Sequence, residues 1–135
     1  MFALFLLAQL STDEAMMPQF VPEAFRGAWD WSDEACAKED SLTRIEIGPN
    51  WMRDNYGVGA LQFFTSVTPM SHYDEAIEAR YIMGGKGGIR DQQMLLNSRV
   101  SKGRRELLWL ESEGPGYIDD AAVPAELVSC PKAKG

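Results

Sequence analysis

One histidine and two cysteines are the chain's whole supply of imidazole and thiol in 135 residues. With no Cys-x-x-Cys pair, and only His72 to add a ring nitrogen, a zinc or iron–sulfur site has no ligand set. Basic charge is scarce as well: 13 Lys and Arg stand against 20 Asp and Glu, a net charge of −7. Nucleic-acid binding needs a surplus of cations to displace phosphate counterions, so the deficit argues against it. Adhesion to anionic lipid is disfavoured for the same reason. Long apolar runs are missing too. The N-terminal run at residues 2–8 (FALFLLA) is far shorter than the roughly 20 residues that cross a bilayer as a helix, so no transmembrane segment is expected. Neither an Asp-x-Asp-x-Asp-Gly calcium loop nor a phosphate loop is present, because Lys86 in the glycine tract 84–88 is followed by Gly87 rather than Ser or Thr. No cofactor is expected.

What is there points to an exported domain. The run at 2–8 suits the apolar region of a signal peptide, with Ala8 as a small residue for cleavage, although no basic residue precedes it. Residues 1–22 therefore read as leader and linker, 23–131 as a single domain and 132–135 as a tail. Cys36 and Cys130 bracket nearly the whole domain. Behind such a leader they are expected to form one disulfide, which places the protein in the periplasm or outside the cell. The competing reading is a pair of reduced, buried thiols in a cytosolic protein.

Between the cysteines the pattern is short strands and turns. Ile45 and Ile47 alternate with Arg44 and Glu46, and Gly48-Pro49-Asn50 is turn chemistry. Residues 51–56 read as the return strand, interrupted by Gly57 and Gly59. Residues 61–68 are rich in β-formers and end at Pro69. Ile77, Ala79, Tyr81 and Met83 alternate with polar neighbours, a half-buried strand. The tract 84–88 reads as a flexible hairpin loop. Strands over 89–100, 106–111 and 126–130 complete about eight, with no long amphipathic helix. The expectation is an all-β fold: an antiparallel meander curled into a small barrel, which removes exposed edges, with a two-sheet sandwich as the alternative.

Gly27-Ala28-Trp29, just ahead of a cysteine, resembles the Gly-x-Trp that opens many lipocalin-like barrels. The wider pattern, with an early Cys and a terminal Cys-Pro, is similar to small exported bacterial proteins with no assigned function. The likeness spans 25–131. It implies a barrel that binds a ligand or partner, with Trp29 closing one end, and it brings no catalytic residues.

Catalytic chemistry finds little support. Ser71, His72 and Asp74 are neighbours in sequence, which does not make a triad, and a disulfide consumes the Cys36 thiol that His72 would activate. Arg99, Lys102, Arg104 and Arg105 form a basic hairpin, either a dock for an anionic partner or a charged, aggregation-blunting turn. The expected role is thus a non-enzymatic binding or interaction module of the bacterial envelope, its partner an unknown protein or a small apolar ligand. As a lipocalin-like carrier it would line a pocket with Trp29, Trp51, Phe63, Tyr81 and Trp109. As an enzyme inhibitor it would project the tract 84–88 or the acidic early turn.

Overall fold

Period-two alternation closes into a barrel. The computed structural model describes residues 20–85, 88–113 and 125–131, the side chains of 111–113 excepted; the apolar run at 2–8 and the tail at 132–135 lie outside the described residues. Eight antiparallel strands follow one another: β1 (Gly27–Asp30), β2 (Ile45–Ile47), β3 (Trp51–Asp54), β4 (Gly57–Val67), β5 (Glu75–Gly85), β6 (Gly88–Ser101), β7 (Arg104–Glu113) and β8 (Ala125–Ser129). Each pairs with the next, and β8 returns to β1 through Trp29↔Ser129 and Asp30↔Val128. The sandwich alternative is thereby excluded, and the meander barrel stands.

The core is the inward phase of the strands. Ile47, Met52, Ile77, Ala79, Tyr81, Met83, Met94, Leu96, Leu107, Trp109 and Leu127 are all buried and form one cluster with Val21, Phe25 and Trp29. Ile45 and Ile47 both face it, as their alternation predicts. Val21, which the sequence assigns to the linker, is fully buried, and its amide donates to the Pro49 carbonyl at 2.8 Å.

Two glycine readings need correction. Gly57 and Gly59 do not interrupt a strand; β4 runs through both. A Cβ on Gly57 would stand 2.0 Å from the Gly84 carbonyl oxygen, and one on Gly59 2.4 Å from the Met83 sulfur, so close approach to β5 demands the missing side chain. The tract 84–88 is likewise not a loop over its length. Gly84 and Gly85 belong to β5, Gly88 opens β6, and Gly85 pairs with Gly88; residues 86 and 87 lie outside the described set. The β6–β7 hairpin turns on Lys102 and Gly103, whose φ of 53° and 76° suit the tight two-residue turn that matches strand twist.

One end of the barrel is shut. A single 3₁₀ turn (Glu23–Phe25) lies across the end where β1 begins, with Phe25 in the core. The Trp29 indole N–H donates to the Phe25 carbonyl at 3.0 Å. Arg105 lies 5.3 Å from the centroid of the same indole and donates to the carbonyls of Glu23 and Arg26, both at 2.8 Å. Trp29 from β1 and Arg105 from β7 thus lock the plug in place.

Candidate ligand-binding site

The opposite end is built from the segment between β1 and β2, the β3–β4 turn and the open ends of β6, β7 and β8. The first of these hangs from one buried carboxylate. Asp30, fully buried, accepts hydrogen bonds from Ser41 Oγ at 2.6 Å, from Thr43 Oγ1 at 2.5 Å and from the Trp31 amide at 2.9 Å, and Arg44 Nε stands 3.7 Å away. Burial alone would push this carboxyl's pKa up. The hydrogen bonds from Ser41, Thr43 and Trp31, with the Arg44 charge, outweigh it and hold the pKa below the usual value.

A one-turn helix, α1 (Asp33–Cys36), sits inside the segment, capped by Ser32 Oγ accepting from the Ala35 amide at 3.1 Å. Arg44 donates to the carbonyls of Ala35, Cys36 and Lys38 at its far side. Cys36 is joined to Cys130 with Cα atoms 5.3 Å apart, so the expected disulfide is present. The segment of 14 residues between the strands is therefore fastened at several points.

This end encloses a cavity of about 550 Å³. Its floor is apolar: Ile45, Trp109, Ala125 and Leu127, continuous with the core. Its rim carries Trp31, Leu42 and Tyr56, which are 53 %, 72 % and 61 % exposed, an unusual density of apolar surface around one opening. Along one side runs an ion pair across the lumen. Asp54 at the end of β3 meets Arg90 near the start of β6, Nη2 to Oδ2 at 3.1 Å, although β4 and β5 separate the two strands around the wall. Arg90 Nη1 also donates to Gln92 Oε1 at 3.0 Å, and its guanidinium lies 5.8 Å from the Tyr56 ring centroid.

Of the five residues expected to line a pocket, Trp109 alone lines this cavity. Trp29 and Tyr81 are fully buried in the core, away from the opening. Trp51 and Phe63 point out of the barrel. Trp51 alternates with inward Met52; its indole covers Gly48, where a Cβ would meet it at 2.1 Å, and Arg53 stacks on it at 5.5 Å. Phe63 is displaced by a β-bulge. Leu61 pairs with inward Tyr81, but the register then skips Gln62, so Phe63 pairs with Arg80 and Phe64 takes the inward place opposite Ala79. Unbroken alternation would put Phe63 inside; one extra residue reverses it.

The residues missed are Trp31, Leu42, Tyr56, Asp54 and Arg90. A signal for the last existed. Arg90 and Gln92 share the phase of Met94 and Leu96 on β6, so the inner face of that strand changes from apolar to polar along its length, as a strand does on leaving a core for an opening.

The remaining chemistry is used up or scattered. His72 is exposed in a turn at φ 73°. Asp74, its supposed carboxylate partner, accepts from the Val100 amide at 3.1 Å instead. Three of the four cations of the basic hairpin are engaged: Arg99 pairs with Glu106 and stacks on Tyr73, Arg104 pairs with Asp33, and Arg105 holds the plug. Among the described residues no cluster of His, Cys, Asp and Glu is suited to a metal ion, and no helix is long and apolar enough to cross a membrane. Compared with known proteins, the chain matches no protein-family model, no curated protein and no solved structure.

Proposed function

We propose that the chain is an exported, non-catalytic binding protein that holds one small, largely apolar molecule in the open end of its barrel. The observation that carries this reading is the asymmetry of the two ends. Among the described residues, one is plugged by Phe25, Trp29 and Arg105, while the other opens onto a floor of Trp109 and Leu127 under a rim of Trp31, Leu42 and Tyr56. A volume of about 550 Å³ falls within the range of small-molecule sites. Export is supported by the Cys36–Cys130 bond, since such bonds persist in oxidising compartments. The inhibitor alternative is left with the acidic early turn, because Gly84, Gly85 and Gly88 are paired strand residues. The carrier form of the lipocalin-like resemblance is favoured in its place.

The test is a titration with a neutral apolar fluorophore, N-phenyl-1-naphthylamine, following tryptophan emission. Trp31 and Trp109 line the cavity, so saturable quenching at one probe per chain is expected. Leu42→Asp sets a charge on the rim and should weaken binding about tenfold or more, the cost of about 1.5 kcal/mol of lost apolar burial. Absence of saturable quenching, or an unchanged affinity in Leu42→Asp, overturns the proposal.

A further inference from the structure

Resting on that reading, the structure assigns the ligand a charge: we propose that the molecule held at the open end carries an anionic group, of the carboxylate class, and that Arg90 receives it. Two of the five N–H donors of this guanidinium are committed, one on Nη2 to Asp54 and one on Nη1 to Gln92. The other three have no partner among the described residues, and Arg90 is part of the cavity lining. Asp54 pairs with its charge, and Gln92 orients the fork. Gln92, 6 % exposed, is an uncharged acceptor held inside the wall.

Asp54 does not depend on Arg90 for its own position. Its Oδ1 accepts the amides of Tyr56 at 2.8 Å and Gly57 at 3.0 Å, which fix the carboxylate within the β3–β4 turn. Asp54 is therefore a positioning residue that steadies the cation. A cationic ligand, by contrast, would find one acceptor site left on Asp54 and would stand beside the Arg90 charge. The guanidinium fork matches a carboxylate in two-point geometry, and such charge-assisted bonds strengthen beside an apolar floor that excludes water. The apolar body of the ligand would lie over Trp109 and Leu127 with Trp31 above it.

Three molecules sharing one body separate the possibilities: 2-naphthoate, 2-naphthylmethanol and 2-naphthylmethylammonium, each titrated by calorimetry and tryptophan emission. Naphthoate should bind about tenfold or more tighter than the alcohol, with the ammonium weakest. Arg90→Gln should weaken the acid about tenfold or more and so remove its advantage over the alcohol. Should that variant fail to fold, the wild-type protein still decides, because added salt should weaken the acid and leave the alcohol nearly unmoved. Equal binding of acid and alcohol, or tightest binding of the ammonium, overturns the anion assignment and leaves the cup intact. No binding by any of the three overturns the cup itself, and the anion assignment with it.

Discussion

Removing the Cys36–Cys130 bond tests how the barrel is kept shut. The two cysteines are 94 residues apart, and closing a loop of that size lowers the entropy of the unfolded chain by an amount worth roughly 4–5 kcal/mol at 25 °C. Domains of this size have a total stability of about 5–15 kcal/mol, so the crosslink is a large share of it. It also stands beside one of the two thinnest seams, the other being β2–β3. β1 and β8 are joined by Trp29↔Ser129 and Asp30↔Val128, with one further bond from the Cys130 amide to the Ala28 carbonyl at 2.8 Å. β5 and β6, in contrast, stay in register from Glu75↔Ser98 to Gly85↔Gly88. The variant Cys36→Ala/Cys130→Ala, unfolded in urea, is expected to lose about 3–5 kcal/mol and to melt roughly 15 °C lower. Its m value should rise a little, because an uncrosslinked denatured chain exposes more surface. Hydrogen exchange should accelerate first in β1 and β8, while β5 and β6 keep their protection. A loss below about 1 kcal/mol, or exchange that accelerates equally in all strands, would refute the reasoning.

Two other substitutions probe the interior. Asp30→Asn should cost about 2–3 kcal/mol at neutral pH by weakening the anchor for Ser41, Thr43 and Arg44. Because the folded-state pKa of Asp30 is depressed, its contribution is complete above the unfolded value near 4 and fades as pH falls through the folded value. The stability gap between wild type and variant should therefore be flat above about pH 5 and shrink in acid; a gap that widens below pH 4 contradicts the account. The Tyr81 hydroxyl is buried with no hydrogen-bond partner among the described residues, and burial pushes its pKa up to about 12. Tyr81→Phe should leave urea stability unchanged or raise it by up to about 1–2 kcal/mol, and a loss of that size would show that the hydroxyl is bonded after all.

Strand phase and the cysteine pair were legible in the chain because each depends on local or sparse information. Ile45 and Ile47, or Ile77 through Met83, declare their face by alternation alone, and with only two cysteines one pairing exists. The site was poorly legible for reasons that are equally physical. A single extra residue, Gln62, inverts the face of everything after it on β4, which is why Phe63 and Phe64 exchange places. Aromatic rank was a poor guide as well: Trp29 and Tyr81 are large enough to fill the core, and Trp51 serves the outer wall over Gly48. Arg90 and Asp54 meet only because barrel curvature brings β3 and β6 together across the lumen. Nothing in their spacing of 36 residues encodes that meeting.

The plug has a consequence for how such a chain tolerates change. Arg105 grips the 3₁₀ turn through the main-chain oxygens of Glu23 and Arg26 and through the face of Trp29, and it reads none of the turn's own side chains. Exposed positions such as 23 are thus free to drift so long as the backbone path survives. A stopper held this way leaves a faint trace in sequence, little more than a buried phenylalanine, one tryptophan and one arginine about 75 residues further on. Distant copies of the same architecture would then share a shape and those three anchors, and very little lettering in between.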